Sequence, residues 1–188
     1  METMNQPSKQ TELLRAIQQK DSYNKFCVDC NKNESTHCSV TFGILICEEC
    51  AGKHLELLGM ELSYVKPLYQ DVWDTFQIKL LENGGNKKFW DFIKQYNMEL
   101  KDINAKFNSN PIKYYKKRLF ALAQGVEFNQ EQPPRNAEEI LNRGVDGAKN
   151  LGKKAGEGIM KFGGLVGEKF EQSGVKEKFK GLFKKSND

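Results

Sequence analysis

Hydrophobic residues recur at intervals of three and four along most of the chain, which is typical of helices that pack one face against a core. The spacing predicts a short helix over residues 11–20, a second that opens at Asp71, a third that begins at Phe89 and a fourth around Ile112. Over residues 39–46 every second residue is hydrophobic instead, which predicts one buried strand. From about residue 47 to 128 we therefore expect mainly helices.

Two changes of pattern divide the chain. The segment 83–86 places two glycines between two asparagines, which predicts the end of a helix inside the folded region. After residue 125 the helical pattern fades, and the two prolines at 133 and 134 indicate a linker. The predicted parts are an N-terminal helix or extension (1–20), a folded domain (21–128), a linker (129–137) and a Gly/Lys-rich tail (138–188).

The tail differs from the rest of the chain in composition, because ten of the 16 glycines lie between residues 144 and 181. Its apolar residues still fall at helical steps, and Ala148, Ile159 and Phe170 are eleven residues apart, a repeat that keeps one face on a long helix. Each glycine inside a helix costs about 1 kcal/mol, so this helix would be weak alone. The sequence leaves two readings open, an amphipathic helix that folds on a surface and a disordered tail with chance periodicity.

Composition and charge exclude several classes of protein. Of the 188 residues 38% are hydrophobic, which is enough for a globular core and excludes wholesale disorder. No run of about 18 apolar residues predicts a spanning helix, and the first twenty residues do not resemble a secretory signal. The net charge is +4, with +3 of it in residues 136–188, so the folded region lacks the positive field of a dedicated nucleic-acid binder.

The five cysteines all lie between residues 27 and 50. Cys27 and Cys30 form one CxxC pair, and Cys47 and Cys50 form a second after sixteen intervening residues. Four thiolates at this spacing predict one tetrahedral Zn²⁺, which is structural because no ligand position stays open. The alternative is two redox or incidental CxxC pairs. The other residues able to bind a metal, which we expect to be buried, structural or at the surface, are Cys38, His37 and His54.

The residues around the cysteines resemble the zinc finger of the Arf GTPase-activating proteins (ArfGAPs), and the similarity covers about residues 11–128. It implies an α+β fold, in which a small zinc-stabilised sheet is wrapped by helices. Golgi-type members also carry amphipathic tails that bind curved membranes, which the tail here resembles only in character. The motifs similar to the family, the last two to its Golgi-type subgroup, are Ser39–Cys47, Cys50–His54, Leu58–Gly59, Leu62–Val65, Asp71–Trp73, Gly84–Asn86 and Ala121–Gly125.

This chain departs from the family at the position of its catalytic residue. The resemblance implies a catalytic arginine directly after His54, where this chain has Leu55, and residues 16–117 contain no arginine. An arginine finger contributes about 10³–10⁵ in rate, and leucine has neither charge nor donor. We therefore expect no catalytic residue and no enzymatic activity. Two smaller departures are His37 in place of a family tryptophan and one extra residue between His54 and Ser63.

The main hypothesis is a catalytically inactive ArfGAP-like module that acts as a binding or structural protein. It would grip an Arf-family GTPase or serve as a subunit of a larger assembly, with peripheral membrane contact through residues 138–188. The alternative is an active GTPase-activating protein for Arf-family GTPases in vesicle traffic, in which partner positioning replaces the arginine. The expected location is the cytoplasm, with the Golgi or another membrane surface as a further site and mitochondrial import left open.

A nucleic-acid finger is the third hypothesis and the weakest. It requires a basic strand or helix near the cysteines, but segment 27–50 has Lys32 as its one lysine, against four carboxylates. A phosphate backbone would be repelled there, so we expect no nucleic-acid partner.

Overall fold

The computed structural model describes residues 8–136 and 139–140. The compact unit that ends at Arg135 is the one described below. The predictions for the tail fall, apart from residues 139 and 140, outside the described residues, and the predicted domain boundaries stay predictions. Within the described part, no helix is both long and apolar enough to cross a membrane.

Seven α-helices contain about half of the residues of the described unit. Several begin with a side chain that accepts a backbone N–H, which satisfies donors that a helix leaves free at its start. Asp74 and Gln77 form a reciprocal capping box at the start of α4, and Gly125, with φ +70°, ends α7. The helices are α1 (Lys9–Gln19), α2 (Glu48–Leu57), α3 (Gly59–Leu62), α4 (Thr75–Asn83), α5 (Asn86–Lys94), α6 (Ile103–Phe107) and α7 (Asn110–Gln124).

The sheet consists of three antiparallel strands in the order β2-β1-β3. They are β1 (His37–Ser39), β2 (Ile44–Ile46) and β3 (Val65–Pro67). The single strand predicted over residues 39–46 is wrong, because the chain turns between β1 and β2 and pairs the two as a hairpin. The alternating pattern did not show this turn, since its residues are buried like those of the strands. The third strand was not predicted at all.

Gly43 makes this turn possible. Its φ of +59° is a conformation that glycine adopts without strain. A Cβ built on it would lie 2.5 Å from the carbonyl oxygen of Leu80 in α4. On the other side, a Cβ on Gly84 would lie 2.4 Å from the carbonyl oxygen of Gly43. The two glycines therefore let the hairpin and the α4–α5 turn touch through their backbones.

Asn86 fastens the same turn to the sheet. Its side chain is buried, accepts a hydrogen bond from the Leu45 amide at 2.7 Å and donates to the Leu45 carbonyl at 2.9 Å. It also donates to the carbonyl of Phe26 at 2.8 Å, just before the first cysteine pair. The predicted helix stop over 83–86 is confirmed, and its last residue also ties α5 to β2.

An aromatic core joins the sheet to the helices. The Phe107 ring of α6 lies 4.8 Å from the Phe42 ring and 5.7 Å from the Phe89 ring. Of the six other phenylalanines and tryptophans between residues 73 and 120, two, Phe76 and Trp90, are only half-buried. The four that are buried are Trp73, Phe89, Phe92 and Phe120.

Candidate metal centre and the helix that follows it

The four cysteines of the two CxxC pairs meet at one point. Their sulfur atoms all lie within 4.8 Å of one another, and those of Cys30 and Cys47 are 3.8 Å apart. A tetrahedral Zn²⁺ with Zn–S bonds of about 2.3 Å separates its ligand sulfurs by about 3.8 Å, so the residues fit the ion. The predicted set of Cys27, Cys30, Cys47 and Cys50 is therefore the zinc centre, and with four protein ligands the zinc is structural.

Local backbone structure presents these thiols. The amide of Cys27 donates to the carbonyl of Asn33 at 2.9 Å, and that of Asn31, at φ +51°, donates to the Cys27 carbonyl at 2.8 Å, which closes a tight knuckle. Cys47 is the N-cap of α2, and Cys50 lies in its first turn. The zinc thus fixes the start of α2 against the knuckle.

The ionisation of the thiols shows why a cation belongs between them. A hydrogen bond from Cys50, together with backbone N–H groups, lowers the pKa of Cys27. Burial raises the pKa of Cys47, and the pKa of Cys50 is raised first by its hydrogen bond to Cys27 and then by burial. One thiolate is stabilised while its neighbours resist ionisation, and a divalent metal removes this conflict.

A buried series of side-chain hydrogen bonds links the zinc centre to the sheet. The carboxylate oxygen Oδ2 of Asp29, between the first two cysteines, lies 3.0 Å from Nε2 of His54 on α2. Nδ1 of His54 lies 2.7 Å from the hydroxyl of Ser63, which is 2.8 Å from the hydroxyl of Ser39 in β1. The other Asp29 oxygen faces the ammonium of Lys106 at 3.6 Å. His54, expected to be structural or at the surface, is a buried structural residue, because these contacts hold α2 in place.

The remaining predicted residues near the centre lie apart from the metal. Cys38 is fully buried, as expected for a small apolar residue, and burial raises the pKa of its thiol. His37 is half-buried, with Nδ1 2.9 Å from the Thr36 hydroxyl.

Leu55 lies on the surface of α2. Its side chain is 46% exposed, although the preceding residue, His54, is fully buried. Successive residues of a helix point about 100° apart, so the zinc-linked side chain faces inward and its neighbour faces solvent. The nearest charged pair on the helix is Lys53 with Glu49, whose oxygen is 2.6 Å from the lysine nitrogen. The position at which the resemblance places a catalytic arginine is thus exposed to solvent and carries an apolar side chain.

Two buried lysines were missed by the sequence reasoning. Lys66 donates to the Gln77 side chain at 3.1 Å, lies 3.5 Å from the carboxylate of Asp71 and sits 5.3 Å from the centre of the Trp73 ring. Lys106 pairs with Asp29 beside the zinc knuckle. Lysine is almost never buried unless it is paired, and nothing in the local sequence announces the partner. Lys106 therefore helps to hold the zinc knuckle, and Lys66 helps to hold the segment between β3 and α4.

The comparisons with known proteins agree with this geometry. Residues 11–124 match the family model ArfGap, described as "Putative GTPase activating protein for Arf". The chain is 35% identical over 123 residues to ADP-ribosylation factor GTPase-activating protein 3 of Bos taurus, covering 64% of this chain and 23% of that protein. It is 30% identical over 115 residues to ADP-ribosylation factor GTPase-activating protein GCS1 of Saccharomyces cerevisiae, covering 61% of this chain and 32% of that protein. These relatives are consistent with the Golgi-type subgroup, and the chain spans between a fifth and a third of their length.

These findings correct one prediction. We expected no enzymatic activity because of Leu55, but the matching relatives are named as GTPase-activating proteins. Nothing in the described residues shows that the activity has been lost. The prediction that the chain is not an enzyme is therefore wrong, and a single side chain was given too much weight against a match over the whole domain.

A solved structure shows the same fold. The "putative GTPase activating protein for ADP ribosylation factor" from Cryptosporidium parvum aligns with a TM-score of 0.52 at 23% identity, covering 60% of this chain and 93% of that chain. The α+β fold with a zinc-stabilised sheet wrapped by helices is thus confirmed. With the family model matched over residues 11–124 and the four cysteines in ligand geometry, this chain belongs to the ArfGap family.

Proposed function

We propose that this chain is a GTPase-activating protein for an Arf-family GTPase, which docks on the exposed face of α2. Membership of the family and the names of the relatives support the activity and the partner. The observation that carries the proposal is the position of α2. Its first turn is held by zinc, its middle by His54, and its outer face is open.

Three residues of α2 define this docking face. Glu48, Gly52 and Leu55 follow one another at intervals of four and three, so they lie on one side of the helix. A Cβ built on Gly52 would meet no atom within 4 Å, so the face is open at its centre. Glu48 also lines an open depression of about 690 Å³ together with His37. The surface therefore extends from this depression along α2 to Leu55.

Leu55 limits how this face can act. Because leucine carries no charge, it cannot stabilise the negative charge that develops on the transferred phosphoryl group. The contribution left to the chain is to hold the catalytic groups of the GTPase itself and the attacking water in their reactive positions. We expect an acceleration below the roughly 10³–10⁵-fold that an arginine finger supplies.

Single-turnover GTP hydrolysis by an Arf, with the zinc-loaded full chain in excess, tests the proposal. We expect faster hydrolysis that falls to the basal rate in Gly52→Trp, because the indole fills the open centre of the docking face. Glu12→Trp, on the exposed side of α1, is the matched control and should keep the acceleration. No acceleration at saturating wild-type chain would contradict the proposal.

Leu55→Arg separates the docking face from the catalytic position. We expect the variant to hydrolyse GTP with its partner about 10³-fold or more faster than the wild-type pair, since the side chain reaches solvent and needs no refolding. If the wild-type chain accelerates hydrolysis and Leu55→Arg changes nothing, the GTPase is activated from another face.

Two expectations remain beyond the described residues. A membrane contact through residues 138–188 and a location in the cytoplasm or at a Golgi membrane stay predictions. Fractionation of cells that express the full chain, followed by the same experiment with residues 138–188 removed, would test both.

A further inference from the structure

Three basic side chains, two on helices and one just after the end of a third, lie around the turn between α4 and α5. Lys20 follows the last residue of α1, Lys88 lies in the first turn of α5, and Arg118 lies in the middle of α7. Lys20, Lys88 and Arg118 are all exposed. We call these three residues the basic surface.

Specific contacts bring the three helices together at this turn. The side chain of Asn24 donates to the carbonyl of Ile17 in α1 at 3.2 Å and accepts from the amide of Asn86 in α5 at 2.9 Å. The residue after Arg118, Leu119, is so close to the hairpin that a Cβ on Gly43 would lie 3.1 Å from its side chain. The basic surface is therefore fixed by the packing of the fold rather than by flexible loops.

The charges of the basic surface are not neutralised from within the described unit. Partial burial and the positive charges of Lys20 and Arg118 lower the pKa of Lys88, whose ammonium donates to the Asn83 carbonyl at 2.9 Å. Among residues 8–136 and 139–140, none of the three cations lies within 4.0 Å of a carboxylate. Like charges placed together without a counter-ion cost stability, which a binding partner of negative charge would recover.

Exposed aromatic rings border the basic surface. Tyr23 is 49% and Phe26 39% exposed, and both carbonyls accept hydrogen bonds from Asn86 of α5, at 3.2 and 2.8 Å. The Lys87 ammonium lies 5.7 Å from the centre of the Tyr23 ring, and it is paired with Asp91. Rings with an apolar body beside cations favour the boundary between lipid headgroups and acyl chains. A dissolved phosphate ion would bind the cations but would make no favourable contact with the aromatic rings.

We propose that the basic surface is a docking surface for an anionic lipid bilayer, with Tyr23 entering the headgroup region. The cations would lie over acidic headgroups, and the ring would anchor the edge of the domain. This inference does not rest on the proposed GTPase activity, and it concerns the folded unit and not the tail.

Co-sedimentation of the full chain with vesicles tests the proposal, using phosphatidylcholine alone and phosphatidylcholine mixed with phosphatidylserine. We expect binding to the mixed vesicles, weakened by added salt. The triple variant Lys20→Gln/Lys88→Gln/Arg118→Gln should bind about 100-fold more weakly, about fivefold for each cation removed. Unchanged thermal unfolding of this variant would show that it is folded.

The matched control removes the same charge elsewhere. Lys9→Gln/Lys101→Gln/Lys113→Gln changes three exposed lysines outside the basic surface and should lose much less binding. Equal loss in both triple variants, or no loss in either, would overturn the proposal. So would equal binding to neutral vesicles. If soluble polyglutamate binds with the same dependence on these residues and the vesicles do not, the partner is an acidic protein and the lipid proposal is wrong.

Discussion

The described unit has two halves that are held together by different means. The zinc half, residues 21–67, contains strands of three residues and buries seven polar or charged side chains, among them His54 and Lys66. The helical half, residues 75–124, buries three, and its interior consists mainly of aromatic and aliphatic groups. Strands of this length cannot stabilise a sheet alone, so the zinc half depends on its metal and hydrogen bonds while the helical half depends on packing.

Removal of the metal should give the largest loss of stability, and it should distinguish the two halves from each other. Structural zinc sites contribute about 10–16 kcal/mol of binding free energy, which is comparable to the whole stability of a domain. We expect a chelator, or Cys27→Ser, to unfold the sheet and α2, and amide signals in a heteronuclear NMR spectrum would report it residue by residue. Cys38→Ala is the matched control, because it removes a thiol that is not a ligand. An unchanged spectrum for β1 and β2 without metal would show that the zinc half does not need zinc.

Truncation of Phe107 should be the next largest change, because this residue joins the halves. Its ring packs on Phe42 and, at 4.6 Å, on the ring of His54 in the zinc half, and on Phe89 in the helical half. We expect Phe107→Ala to lower the free energy of unfolding of the zinc-loaded chain by about 3–5 kcal/mol, measured by urea denaturation. Phe76→Ala, at a half-buried position, should cost clearly less. Equal losses would mean that Phe107 is an ordinary core residue.

Replacing one glycine in each half should change the free energy of unfolding least, and the two changes should have opposite signs. Gly52 lies within α2 with open space around it, so Gly52→Ala should raise the free energy of unfolding by up to about 1 kcal/mol. Gly84→Ala should lower it, because the new Cβ would lie 2.4 Å from the Gly43 carbonyl oxygen. Thermal unfolding at fixed zinc concentration measures both. Destabilisation by Gly52→Ala would show that the exposed face of α2 is more constrained than its surroundings indicate.

The features that could be predicted from the sequence are those that a local pattern of residues encodes. The four zinc ligands were found because two CxxC pairs encode the site within a short segment. Three helices of the helical half, α4, α5 and α7, were found because their apolar spacing is a local pattern, although α4 begins at Thr75 and not at Asp71, and α5 at Asn86 and not at Phe89. The short helix α6 was not predicted. The turn at Gly43 was missed because its residues are buried like those of the strands. Strand β3 was missed because it forms only by pairing with the distant backbone of β1.

The polar interior of the zinc half was equally hidden. Lys106 lies 77 residues along the chain from Asp29, and no local pattern connects them before the fold does. The error about activity was of another kind. Leu55 stands where the resemblance implies a catalytic arginine and carries no charge, but the identity of one side chain does not decide the activity of a domain whose relatives are named as GTPase activators.

The way α2 is fastened has a mechanical consequence. The helix is a short rod clamped at one end by Cys47 and Cys50 and pinned again at His54 by Asp29 and Ser63. Leu55 directly follows His54, the second point at which α2 is attached. Thermal bending of the helix therefore hardly displaces the backbone at position 55. Any side chain at position 55 therefore meets an approaching protein surface from a fixed direction. Replacing that side chain changes the chemical group that is presented without disturbing the attachment of α2.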